Sequence, residues 1–376
     1  MFRGLFLLIL PLSVIFSDDF YPGDSIVHEG VYAFYNYEFD RGISILSQAR
    51  IDYPDHPGVH LIWAAARWVR SQAYDSVNET HIVLETDLME IKPIYENLIS
   101  RYPQDPVYQL YQGSSVGLSA RVTLGRKEWL KTLYRAYSGF SIIGKVSAES
   151  PHLKDASLAI GIVEYYAGIS NILLKWAVNL YGLNASSEGG LNTISIAANE
   201  SDWAWIEAKG ILSFLYLWVE DEPELAYEYS SSLVEHFPKN YYFNLLLLES
   251  MIRTNYTHKS LDQIKEIDNL TRDLTDRQKD WYGPYLDYEK ALLAFHSEQF
   301  AISLDLLEKA ISSYSAELDI ILGNAYLLKG MTLDKMNNRT DAIFSCIFNR
   351  FNSDFRSASG EKNNFICFNR PRPFES

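Results

Sequence analysis

One short word stops the helices of this chain again and again. "ILSQARIDYPDHP" (45–57), "YENLISRYPQDP" and "SSLVEHFPKN" each join an apolar spacing of helical type to an aromatic residue and a proline. Proline lacks an amide hydrogen and pushes the residue before it out of helical geometry, so each word marks a helix end. Pro54, Pro103, Pro151 and Pro238 sit in such words at intervals of 49, 48 and 87 residues, the last nearly twice a period in the low forties. A stop recurring at that interval predicts stacked helical pairs rather than one globule.

Small residues repeat in register with the stops. Counting back from Pro54 finds Ala49 five residues earlier, Gly42 seven before that and Gly30 twelve before that. Ala226 precedes Pro238, Gly330 and Ala342 lie 12 apart, and Ala291, Ser303 and Ala310 keep the 12 and 7 spacing. Two helices that cross closely require small residues, because a larger side chain would wedge them apart. With these intervals the chain resembles the tetratricopeptide repeat superfamily, and more narrowly the divergent exported repeat proteins of bacteria, from Ser25 to Phe344. The phrases "GLSARVTLGRKEWLKTLYRAY" and "LAIGIVEYYAGI" carry the narrower resemblance.

The resemblance implies an all-α fold, a right-handed superhelix of stacked antiparallel helix pairs. It also implies a concave inner face lined by the first helix of each pair, where a protein or peptide partner binds. On those helices the candidates for a ligand groove are Arg67, Trp68, Arg121, Tyr165 and Tyr166. Most periods exceed the roughly 34 residues of the standard unit, so longer helices or inserts are expected, with 74–87 as one insert. Turns are expected near 38–40, 53–57, 101–106, 148–154, 183–190, 220–223, 236–241 and 253–258, and no run alternates as a strand would. The segment "IGIVEYYAGISNILLKWAVNLYGL" is apolar on most faces, as in a helix buried between neighbours.

The 376 residues are 47% apolar, which suits a folded chain, and carry a formal charge of -15. That charge opposes nucleic acid and anionic lipid, whose phosphates most of the surface would repel. At the N-terminus Arg3, an apolar run from Leu5 to Phe16, and Ser17 before two aspartates have the layout of a secretory signal peptide. The expected organisation is therefore a signal peptide over 1–17, a repeat domain over 18–344 and an irregular tail over 345–376. From Ser345 onward there is no Leu, Tyr or Trp, and five basic residues face three acidic ones. Such a break halfway through a repeat suggests a reading frame lost after about Phe344. Both cysteines, Cys346 and Cys367, fall in this stretch, where export would permit a disulfide. Sequons stand at Asn78, Asn184, Asn199, Asn255, Asn269 and Asn338, and they predict glycans only in a eukaryotic secretory pathway.

Catalytic words are absent: no H-E-x-x-H, P-loop or G-x-G-x-x-G occurs, and G-S-S-V-G at 113–117 lacks the strand-turn-helix context of a nucleophile elbow. Asp55, His56 and His60 come nearest to a metal cluster, but Pro57 and Gly58 separate the histidines, which read as solvated loop residues. Glu164, Glu207 and Asp221 are acids near many aromatics, and paired carboxylates can cleave sugars. No cofactor is called for. The expectation is a non-enzymatic protein- or peptide-binding scaffold of the cell envelope or periplasm. The alternative, drawn from aromatic richness and acidity, is an envelope protein that binds or cleaves carbohydrate.

Overall fold

A computed structural model describes residues 21–169, 186–315 and 320–352. The expected signal peptide, the residues after 352 with Cys367, and most of the apolar segment after Ile169 lie outside them. Helices α1 (Asp24–Tyr35) and α2 (Phe39–Asp52) form the first pair, and α3 (Val59–Tyr74) and α4 (Val77–Arg101) the second. The third is α5 (Pro106–Leu118) with α7 (Trp129–Glu149), joined by the short α6 (Ala120–Gly125); the fourth is α8 (Ala156–Ile169) with α9 (Ser187–Glu200). Four further pairs follow: α10 (Trp205–Leu215) with α11 (Pro223–His236), α12 (Tyr241–Arg253) with α13 (Thr257–Leu270), α14 (Asp276–His296) with α15 (Phe300–Ser312), and α16 (Ile320–Lys335) with α17 (Arg339–Asn352). There is no strand among the described residues, and each pair stacks on the next in a right-handed superhelix. The break after Phe344 falls inside α17, which runs on to Asn352.

The stop words fold alike. The residue before each proline takes nearly one backbone conformation: φ −129°, ψ 61° at Tyr53, −123°, 60° at Tyr102, −137°, 67° at Ser150 and −127°, 65° at Phe237. Proline excludes helical ψ from its predecessor, and the observed angles are the local solution that still keeps its amide bonded to the helix. Asp105 and Asn240, two residues past their prolines, then cap the next helix by accepting from Val107 N and Phe243 N. One word thus ends a pair and starts another.

A second turn, between the helices of a pair, recurs without any shared residue. Tyr37, Lys127, Asp221, Asn255, Glu298 and Asn337 all have φ between 57° and 63°. The next amide in each case bonds back across the helix end, as Glu38 N does to Ala33 O and Gln299 N to Ala294 O. This is the left-handed helix stop usually given to glycine, here occupied by larger residues.

The expected insert at 74–87 is instead the start of α4. Ser76 accepts from Glu79 N while Glu79 accepts from Ser76 N, a capping box that begins the helix early and lengthens it. Where helices cross, the small positions face each other: a Cβ on Gly42 would stand 3.0 Å from both Gly30 O and Phe34 N. Ala49, Ala226, Ala291, Ala310, Gly330 and Ala342 are buried, and Pro54 and Pro238 stand in exposed turns. Gly139 and Gly190 play the same part in pairs three and four, where a Cβ would lie 2.5 Å from Gly117 N and 2.4 Å from Tyr165 N.

The superhelix winds far enough for its first pair to meet its fifth, sixth and seventh. His28 stacks on Trp203 at 4.0 Å, Asn240 Nδ2 donates to Tyr35 O at 2.9 Å, and Lys239 pairs with Glu38 at 2.8 Å. At the end of α3 the carbonyls of Ala73 and Gln72 accept from Thr275 and Arg277. Val31 accordingly belongs to one apolar core with Ile206, Phe237, Phe243 and Leu286.

Candidate functional site

The closing seam leaves a cavity of 440 Å³ between the ends of the wound chain. Tyr37 and Phe39 enter it from the first pair, Phe214 and Trp218 from the end of α10, Tyr242 from α12, and Trp281, Tyr282 and Tyr285 from α14. The polar groups on its wall are few. Arg121 of α6 holds its guanidinium 5.8 Å over the Trp68 ring, and Gln72 and Gln278 add amides. The Gln278 carbonyl accepts from Thr275 N at 3.0 Å in the α14 cap, which leaves its amide nitrogen available as a donor. Tyr37 and Tyr282 share a hydroxyl contact of 2.9 Å, whereas the buried Tyr285 hydroxyl has no hydrogen-bond partner among the described residues.

Behind the Trp218 and Tyr285 rings lies a pair of acids that sequence reasoning missed. Glu249 and Glu289 are fully buried. Trp218 Nε1 donates to Glu249 Oε2 at 2.7 Å, and Arg253 clasps Glu249 Oε1 through Nε and Nη2 at 2.9 and 2.7 Å. Burial, then the neighbouring Glu249 charge, pushes the Glu289 carboxyl well above the usual carboxylate range, so it holds its proton, and neither of its oxygens has a hydrogen-bond partner among the described residues. Neither acid touches the cavity or solvent. The signal for Glu249 was its place in the apolar-rich run "NLLLLESMI".

Of the five groove candidates, the cavity wall includes Arg121, with Trp68 beneath its guanidinium. Arg67 lies over Trp63 and pairs with the buried Asp87 at 2.8 Å. Tyr165 is fully buried and donates to Glu220 at 2.6 Å, and burial pushes Tyr166, edge-on beside it, up to about 12.

The acids and histidines singled out in the sequence do not converge. Glu164 accepts from Thr193 at 3.0 Å, Glu207 from the Tyr35 hydroxyl, and Asp221 stands exposed at a turn. His56 and His60 are buried, not solvated as expected. His56 Nδ1 accepts from Gly58 N and Val59 N and its Nε2 meets Asp24 at 2.7 Å; His60 bridges Arg50 Nε and Pro54 O. Asp55 binds Arg101 through both oxygens instead, at 2.7 and 2.8 Å. They lock the first stop turn.

No protein-family model matches the chain, and no curated protein does. Among solved structures, the chain is similar to the APC/C hetero-tetramer Cut9-Hcn1, with 12% identity, a TM-score of 0.53, and coverage of 92% of this chain and 56% of that one. It therefore spans just over half the length of that relative. A tetratricopeptide repeat protein from Parabacteroides merdae gives 14% identity and a TM-score of 0.43 over 79% of this chain and 100% of that one. Yeast Tom70 gives 11% and 0.37 over 91% and 87%. Eight stacked pairs among the described residues, closed by two recurring turns and alike in course to Cut9-Hcn1, give this chain the fold of the tetratricopeptide repeat superfamily.

Proposed function

We propose that this chain is a non-catalytic binding scaffold, exported to the cell envelope, that holds a segment of a partner protein at the seam cavity. The observation that carries the reading is the cavity itself: 440 Å³, walled by aromatic rings, with Arg121, Gln72 and Gln278 as its polar groups. That volume falls within the ~300–1,000 Å³ of ligand pockets, room for one or two side chains of a segment rather than a whole helix. Tyrosine and tryptophan bind such groups with little loss of conformational entropy. Cut9, of the same fold, assembles with Hcn1, which agrees with a scaffold. Export rests on Arg3, the apolar run from Leu5 to Phe16 and Ser17.

Selection of displayed peptides against the purified protein tests the site. Trp281→Ala and Gln278→Ala should weaken the selected peptides by about tenfold or more, the loss expected of a central anchor. Peptides that bind both variants as well as the parent would refute the cavity. A glycan-array signal lost in those variants, with no peptide selected, would favour the carbohydrate reading, in which the same rings stack on sugar faces.

A further inference from the structure

Helix α7 begins with an apolar stripe left in solvent. Leu130, Leu133, Tyr134 and Tyr137 are 84%, 54%, 73% and 40% exposed, and their spacing puts them on one side of its first two turns. On the opposite side Gly139 meets the backbone of α5, and Val146 enters the core with Leu110. An apolar stripe of this period ordinarily faces a core, and four large groups clustered in water mark an interaction surface rather than scatter.

Charge around the stripe reverses the sign of the molecule. Lys127 flanks it, Lys131 beside it pairs with Glu128 at 3.0 Å, and Arg126 and Arg135 reach Glu85 of α4 at 3.1 and 3.5 Å. Ile82 and Met89, 51% and 75% exposed, share the α4 side of Glu85. Four basic groups thus face two acidic ones, Glu85 and Glu128, in a chain of formal charge -15. Screening extends only about 8 Å at physiological salt, so a surface resting on α7 meets the local charge and not the total.

We propose that this α4–α7 face docks the protein on a bilayer carrying anionic headgroups. The total charge of -15 opposes anionic lipid, but the fold concentrates the opposite charge at one place. Leucine side chains enter the acyl boundary, tyrosine rings sit at headgroup level and the lysines meet the phosphates, as in interfacial helices. A second copy fits less well, because a two-fold contact through this face would set a patch of net positive charge against another of the same sign. The docking does not depend on the seam cavity, and either reading can fail alone.

Flotation of the full chain with phosphatidylcholine vesicles, with and without phosphatidylglycerol, tests it. Binding is expected only to the anionic vesicles and should fall as salt is raised. The triple variant Leu130→Ser, Leu133→Ser, Tyr134→Ser and the double variant Lys127→Glu, Lys131→Glu should each lower the bound fraction by about tenfold or more. Circular dichroism should show both variants folded. Equal flotation of parent and folded variants would overturn the proposal, as would no flotation at all. So would a dimer in analytical ultracentrifugation that the triple variant converts to monomer, or an acidic helical peptide that binds this face while vesicles do not.

Discussion

The hydroxyls of Tyr37 and Tyr282 lie 2.9 Å apart across 245 residues of chain. Both rings also wall the seam cavity, so the contact that closes the superhelix shapes its pocket. Tyr282→Ala should open the seam: unfolding free energy falls by about 3–5 kcal/mol, as for other large aromatic deletions. Small-angle scattering should report a larger radius of gyration. An unchanged scattering curve would show that the seam does not hold the two ends together.

Gly42→Leu should destabilise the first pair by about 1–3 kcal/mol through overpacking, because its Cβ would press on the backbone of Gly30 and Phe34. Chemical denaturation measures this directly, and a midpoint equal to that of the parent would contradict the crossing geometry.

Thr275 performs two tasks. Its oxygen accepts from Gln278 N at 3.1 Å to start α14, and its hydroxyl donates to Ala73 O across the seam. Thr275→Ala should cost about 1–2 kcal/mol, more than a cap alone typically gives, whereas Ser76→Ala at the free-standing α4 cap should cost nearer 1 kcal/mol. Equal losses in thermal melts of the two variants would argue that the seam bond contributes nothing.

Glu298→Gly should stabilise the chain. Glu298 holds φ at 58°, where a side chain crowds its own carbonyl by about 1–2 kcal/mol. Glycine removes that crowding but adds freedom to the unfolded chain, so the net gain should be about 0.5–1 kcal/mol. The melting temperature reads the sign.

Glu289 gives the fold a pH dependence. Its folded pKa lies above the unfolded one, so the native state keeps a proton that the unfolded state releases as pH rises past about 4.3. Stability is full below that pH and declines above it until the folded group ionises. Glu289→Gln keeps the size and polarity of the side chain without the titration. It should therefore exceed the parent in stability by about 1–3 kcal/mol at pH 8 and lose that advantage towards pH 4. Melting curves of the two proteins that stay parallel across this range would refute the assignment.

The boundaries between pairs were legible because proline dictates them: Tyr53, Tyr102 and Phe237 precede prolines and adopt one conformation. The turns within pairs were not, since Tyr37, Lys127, Asp221, Asn255, Glu298 and Asn337 share a backbone angle and no side chain. Closure was equally hidden, because it depends on a small rotation summed over several pairs, which no local word encodes. That sum explains the candidate site. Arg121 reaches the cavity from α6, the joint of its pair rather than the first helix, while half the aromatic wall comes from α14 and the end of α10, which meet the first pair only after the chain has wound back on itself.

The same closure sets an order of events at the ribosome. The chain emerges at roughly 5–20 residues per second, so Tyr37 precedes Tyr282 by some ten to fifty seconds. Throughout that interval the α1–α2 pair can form, since its own turn and glycine crossing are local, yet the face that will carry Tyr35, Tyr37 and Val31 has no neighbour to cover it. The nascent first repeat is therefore a natural client for a holding chaperone until the sixth and seventh repeats arrive.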